Sequence, residues 1–477
     1  MRIVSSGMRE RQANPDLRTG FVGGNRRLSV CHPLRTLVRM LQNHIMLKAR
    51  RLTTIVLFVA ALIGQHAFAQ SAASRIAYIG PDRNIYSLDP DSMHSTQVTS
   101  DAGSSPTRAV SYGYPTWSSS GDLAFIKFAA NPGGRPMASI VTHRSGMPLH
   151  VEDDLEGVSP FYLYYSPSGR YLSVLGTTLS GPLGLLLLPN EGPPRIVATG
   201  QPFYWAWLPG DEEIVMHTGG ATVRDSLYLH SVASQDSIRF PASPGPFQAP
   251  AVSPRGEYVA LALRDEGSSS SLVISNRDST IYESFPQIEG VQAFDWSPTE
   301  DLLAVVDGQQ MTAAGNVGEL RLVDMRVPTR PVVRATGIED AGIFFWSPDG
   351  SRIAIFRPRL AEGPQGRFLL LSVGFYDVEE GTLRDVVSIV PGRDFLSQVV
   401  PFYDQYQRSA TIWFPDSTRI VVSSRIDAGP PVIFLVSASD EEEFELPPAP
   451  PSAGLSVSYH PVRHDGLPRG LYAFWSW

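Results

Sequence analysis

The chain has 477 residues, 43% hydrophobic and 18% charged, with 41 Gly, 40 Pro and one Cys, which excludes a disordered chain, a coiled coil and a collagen-like polymer. Gly and Pro punctuate it at about every sixth residue, so its elements are short, and short elements favour β structure. Only Lys48 and Lys127 among the 39 basic residues are lysines, so a lysine-based active site has almost nowhere to be.

Charge divides the chain. Residues 1–69 hold 11 Arg/Lys against 2 Asp/Glu, and a total of −8 leaves −17 for residues 70–477. A nucleic-acid groove needs clustered cations, so the acidic body is not expected to bind nucleic acid. Lys48, Arg50 and Arg51 precede the apolar run Leu52–Ile63, and Ala67-Phe68-Ala69 follows. A basic start, an apolar stretch too short to span a bilayer and a small-x-small site predict a cleaved secretory signal over 46–69. Met46 is its natural start, so residues 1–45 read as an over-extended or unstructured leader. Cys31 lies in that leader. The exported chain then has no thiol, which excludes a disulfide framework, a thiolate metal site, a cysteine nucleophile and a lipid-modified N-terminus.

From residue 70 onward one unit recurs: a strand ending in an aromatic residue, a four-residue turn, then a second apolar strand. The clearest copy is Phe344-Phe345-Trp346-Ser347-Pro348-Asp349-Gly350 followed by Arg352–Phe356. The equivalent key positions are Trp117, Tyr165, Trp207, Val252, Trp296, Trp346, Trp413 and Tyr459, spaced by 48, 42, 45, 44, 50, 67 and 46 residues. In the turn, Ser can accept a backbone bond, Pro has φ fixed and Gly tolerates positive φ, the preferences of a type I turn. Two more extended runs follow in each unit, such as 368–373 and 383–387. Four short strands repeated every ~45 residues predict an all-β propeller, 70–477 forming one domain, with the key tryptophans between blades. A solenoid is the alternative architecture. Against it, residues 75–89 supply late strands of a unit without its turn, and residues 455–477 supply a turn, Tyr459-His460-Pro461, with little after it beyond the second-strand run Leu471–Phe474. The ring is therefore expected to close by pooling strands from the two ends, in eight blades, or seven if the last piece only extends an existing blade.

These residues resemble the WD-like propeller repeat of the TolB type, whose units carry Trp-Ser-Pro-Asp-Gly, then Ile-Ala-Phe, then Ile-Tyr-x-x-Asp; Ile85-Tyr86-Ser87-Leu88-Asp89 fits the last part. The resemblance spans nearly all of 75–477 and implies the fold. Its members include periplasmic envelope proteins and the propellers of prolyl oligopeptidase-like peptidases, so it implies no single function. No Gly-x-Ser-x-Gly elbow is present, and no serine-hydrolase site is carried over.

Chemistry is sparse. His460 and His464 have a helical metal spacing, but Pro461 makes that segment a turn. Asp440–Glu443 and Glu152–Asp154 read as solvated acidic turns, lacking the spaced oxygens of a calcium loop. No catalytic residue, metal site or cofactor is expected. The long interval before Trp413 carries an insertion with Phe402, Tyr403, Asp404, Tyr406 and Arg408, the ingredients of a recognition loop on a rigid scaffold; a plug packing its aromatics over the channel is the alternative. The expected role is an exported, monomeric scaffold in the periplasm or outside the cell, binding a protein or peptide at the channel mouth. The rival is an enzyme with a carboxylate-based hydrolase or lyase site there.

Overall fold

The computed structural model describes residues 75–438 except 81, 104–108, 131–136, 220–225, 241–243, 246–248, 265–269, 279–280, 313–314, 364–365, 393–394, 397–402, 410–411 and 426–430, together with Tyr472–Ala473. The leader, the signal segment, Asp440–Glu443, Tyr459, His460 and His464 lie outside the described residues. The chain divides into Met1–Ser71 and Ala72–Trp477, and everything described below belongs to the second unit.

Among the described residues seven units become four-stranded antiparallel meanders, each read from its innermost strand outward. The innermost strands of blades 2 to 7 are Val110–Trp117, Ser159–Tyr165, Phe203–Trp207, Ala251–Val252, Ala293–Trp296 and Ile343–Trp346. Blade 1 is the pooled one: Tyr472–Ala473 pairs as innermost strand with Ile76–Ile79, which continues to Ile85–Leu88 and Ser95–Gln97. Tyr78 lies opposite Ala473 and Ile79 opposite Tyr472.

Two expectations are corrected. Among the described residues there are seven four-stranded blades, not eight. The unit at Trp413 gives a two-stranded sheet, Arg419–Arg425 with Pro431–Ser437, to which Trp413 adds only a bridge to Ile420. Its chain arrives from a helical insertion, so no full first strand forms. This sheet packs between blade 7 and the Tyr472–Ala473 strand, where Arg419 also reaches Asp91 at 3.0 Å. The second correction concerns residues 471–474, expected as the second strand of a unit headed by Tyr459. Tyr472–Ala473 instead takes the first-strand position, because Ile76–Ile79 already fills the second.

The turns follow their sequence. Gly121, Gly169, Gly256 and Gly350 each donate to the motif serine's carbonyl at 2.8–3.0 Å. The serine hydroxyl accepts the amide of the residue that opens the next strand, as Ser347 does from Arg352 at 2.9 Å. Gly350 has φ of +71°, and a Cβ there would run into Thr299 Oγ1.

Core clusters lie between blades, since each sheet has two apolar faces and must cover both. The motif indoles sit at these seams, and four of the five, all but Trp117, make one recurring bond directly or by relay. Trp296 Nε1 donates to the Ala251 carbonyl at 3.2 Å, Trp346 to Asp295 at 3.1 Å and Trp413 to Phe345 at 2.9 Å. In each case the acceptor is the residue just before the key position of the preceding unit. Trp207 reaches the same place by relay, donating to Ser173 Oγ at 3.4 Å, while that hydroxyl donates to the Tyr164 carbonyl.

Removing one such donor leaves a buried carbonyl unpaired, at a cost of about 1–3 kcal/mol. Trp413 is fully buried, so Trp413→Phe should lose about that much in a denaturant titration; a change below about 0.5 kcal/mol would show that the seam does not depend on the indole N–H.

Candidate functional site

In an antiparallel meander, the turns from first to second and third to fourth strand lie on one face of the ring. The turns from second to third strand, and the connections between blades, lie on the other. The two faces differ here. On the first, the Ser-Pro-Asp-Gly turns are tied to one another: Ser119 Oγ donates to the Pro167 carbonyl at 2.9 Å, Ser166 Oγ to Asp211 at 2.8 Å and Thr299 Oγ1 to the Asp349 carbonyl at 3.3 Å. Asp349 in turn donates its amide to Ser417 Oγ at 3.1 Å. The acidic run at Glu152–Asp154, in the connection from blade 2 to blade 3 on the other face, bonds locally, Asp154 N donating to Glu152 Oε1 at 3.0 Å.

The second face carries long hairpins. In blade 6, strands Leu302–Thr312 and Gly315–Asp324 run on past the sheet to a turn at Thr312/Gly315; in blade 7, Arg352–Gly363 and Gly366–Asp377 do the same. Leu360 is 40% exposed on the blade 7 hairpin, near Glu362 and Arg367, which pair at 3.6 Å. The insertion after Thr382–Ile389 leaves from this same face.

That insertion turns inward. Its helix, α1 (Tyr403–Ser409), has Asp404 in its first turn and Arg408 in its last, each complementing the helix dipole. It touches the innermost strands of blades 3, 4, 6 and 7, and a segment meeting strands on so many sides of a ring stands in its central channel. Tyr403 packs edge-on against Phe344, ring centroids 6.3 Å apart. Asp404 Oδ2 accepts the Ala249 amide at 2.7 Å, and Gln405 Oε1 accepts the Trp205 amide at 3.0 Å. Tyr162 donates its hydroxyl to the Gln405 carbonyl at 3.2 Å. Arg408 gives Nη2 to the Phe294 carbonyl at 3.1 Å and Nε to Asp295 Oδ1 at 3.4 Å.

Of the residues expected to form a recognition loop, Tyr403, Asp404 and Arg408 are brought together inside the channel, their side chains turned to the blades. Tyr406 belongs to α1, and Phe402 lies outside the described residues. The sequence reading overlooked Gln405 and Asp295. Asp295 had a signal: a carboxylate directly before a motif Trp, where the other units place Thr116, Tyr164, Ala206, Ala251, Phe345 and Ile412.

The electrostatics are those of an enclosed site. Burial pushes the Asp404 carboxyl above its ordinary value, against the opposing pull of the Ala249 amide and Arg408. Burial likewise raises Asp295, with Arg408 pulling it back, although a fifth of its side chain remains accessible, against 7% for Arg408. The Tyr164 phenol, near both charges, is raised by burial. Tyr403 Oη, Gln405 Nε2 and Arg408 Nη1 are buried with no hydrogen-bond partner among the described residues. No group of three metal-ligating side chains occurs among the described residues, and no helix among them is long and apolar enough to cross a membrane.

No family model matches the chain, and no curated protein does. Solved structures do resemble it in fold. TolB from Acinetobacter baumannii matches at 13% identity and TM-score 0.34, over 65% of this chain and 63% of its own length. The propeller domain of the trilobed protease of Pyrococcus furiosus gives 10% and 0.44, over 69% and 96%. An oligogalacturonate lyase bound to manganese gives 13% and 0.39, over 69% and 98%. Such likeness concerns the propeller fold alone.

A carboxyl whose folded-state pKa is raised makes a stabilising contribution that is complete below the ordinary value near 3.8 and is lost as pH rises through the folded value. For Asp295 this means that Asp295→Asn, whatever its constant offset, should gain on the unmodified protein as pH rises from about 4 toward 7 in paired denaturant titrations. A difference that stays flat or moves the other way would mean that Arg408 outweighs burial.

Proposed function

We propose that this chain is an exported scaffold of the cell envelope that binds a protein or peptide on the hairpin face of its propeller. The observation that carries the reading is the asymmetry of the two faces. One has its turns bonded to one another, whereas the other presents the projecting hairpins of blades 6 and 7 around a channel stopped by α1. A surface that varies on a fixed ring is suited to recognition. With α1 as a stopper, Tyr403, Asp404 and Arg408 serve binding indirectly, by holding the floor on which the insertion and the hairpins stand. Export rests on the segment 46–69, and the absence of a thiol after it fits an oxidising compartment.

A second reading draws on one feature, the Asp295 carboxyl raised by burial beside Arg408 and near Tyr164. A carboxyl held above its ordinary value beside a guanidinium suits a carboxylate-based hydrolase or lyase. Its access from the hairpin face would run past α1, which favours the scaffold.

The readings separate by affinity capture from an envelope extract of the source organism. A stoichiometric partner is expected, with capture reduced about tenfold, or ~1.4 kcal/mol, by the double change Leu360→Glu and Arg367→Glu and left intact by Asp295→Asn. Capture indifferent to the hairpin changes, or no partner above background, would overturn the proposed face. Turnover of a glycan or peptide substrate abolished by Asp295→Asn would establish the second reading.

A further inference from the structure

The bonds that seat α1 in the channel leave one polar cluster only partly matched. Each innermost strand begins at the hairpin face and ends at the tied turns. Asp404 bonds the Ala249 amide, just before Ala251–Val252 begins, whereas Arg408 bonds Phe294 and Asp295 within Ala293–Trp296. The last turn of α1 therefore lies toward the face of the tied turns. Asp295 and Tyr164, each directly before a key position, stand at that same level.

Four side chains gather there without closing on one another. Asp295 Oδ1 accepts the Trp296 amide at 3.1 Å and Arg408 Nε at 3.4 Å. The Tyr164 and Tyr403 phenols both lie near enough to Asp295 to feel its charge, yet neither hydroxyl bonds it among the described residues. Arg408 Nη1 and Tyr403 Oη are buried and have no partner among the described residues. The Arg408 side chain is only 7% exposed, whereas a fifth of Asp295 is accessible, so the carboxylate forms the lip of the cluster and the guanidinium its floor.

These groups select a chemistry. A carboxylate takes a hydrogen, a guanidinium gives one and a phenol does either, so the ligand that meets all four both donates and accepts at neighbouring atoms. Adjacent hydroxyls do this. An acidic ligand would face Asp295, Asp404 and a body carrying −17 over residues 70–477. An amine would meet Asp295 but leave Arg408 Nη1 unpaired and set a second cation beside it. A neutral polyhydroxyl compound meets neither objection.

We propose that the channel mouth on the face of the tied turns binds a neutral saccharide, one sugar hydroxyl donating to Asp295 and its neighbour accepting from Arg408 Nη1, with the Tyr164 and Tyr403 hydroxyls bonding the same ring. The site is on the opposite face from the blade 6 and 7 hairpins and does not depend on what those hairpins bind.

Saturation-transfer NMR and calorimetry on the full-length protein test this, with the methyl glycosides of glucose, galactose and N-acetylglucosamine as probes and glucuronic acid as the charged comparison. At least one neutral glycoside should bind. Its affinity should fall at least about tenfold in Tyr164→Phe and in Asp295→Asn, which remove one hydroxyl and one charge at nearly constant size. The double change Leu360→Glu and Arg367→Glu on the hairpin face should leave it unaltered. No binding of any neutral probe, tighter binding of glucuronic acid, or affinity unchanged in Tyr164→Phe would each overturn the proposal. If Asp295→Asn does not fold, Tyr164→Phe decides.

Discussion

The hydrogen bond from an indole N–H to the neighbouring blade's innermost strand is the interaction on which the rest of this molecule depends. A four-stranded sheet with apolar residues on both faces cannot stand alone, and burial of those faces supplies most of the driving force. Burial has no direction, however. It would tolerate blades sliding or rotating against each other, and at the seams headed by Trp207, Trp296, Trp346 and Trp413 the indole bond is what fixes neighbouring units at a set height and angle. Donor and acceptor recur at the same two positions at three of these seams, and the Trp207–Ser173–Tyr164 relay shows the contact kept where the direct bond is not made.

The channel follows from the same constraint. Fixing the blades leaves backbone groups in or just before the innermost strands, such as the Trp205 and Ala249 amides and the Phe294 carbonyl, facing the axis. Backbone groups left this way are costly, and α1 meets them with Gln405, Asp404 and Arg408. The helix is therefore part of the scaffold's hydrogen-bond accounting. It carries its own burden in the buried Tyr403 Oη, Gln405 Nε2 and Arg408 Nη1, which have no partner among the described residues, so polar matching is incomplete inside the channel.

Much of the fold was legible because it repeats. Trp-Ser-Pro-Asp-Gly announces a strand end and a turn with known chemistry, and eight variants of it can mean only a few architectures. The unit at Trp413 was misread as a full blade because it keeps the motif's Trp413, Pro415 and Asp416 while its first strand is reduced to a bridge, and no residue in the motif reports on what comes before it. The position of Tyr472–Ala473 was misassigned because sequence order alone does not show which strand a terminal segment pairs with; pairing with Ile76–Ile79 settles it. In the insertion, the side chains named in advance were sound candidates for contact, but sequence does not distinguish contact with a partner from contact with the protein's own ring. That depends on long-range geometry, such as the 155 residues separating Ala249 from Asp404.

Indole hydrogen exchange followed by NMR on the intact protein tests the central claim most directly. The Nε1 protons of Trp207, Trp296, Trp346 and Trp413 should exchange only through global unfolding, tracking the slowest backbone amides of the innermost strands as denaturant is added. Exchange of any of these indoles many-fold faster than the strand amides beside it would show that the seams open locally, and that side-chain packing alone, not the indole bond, holds the blades in place.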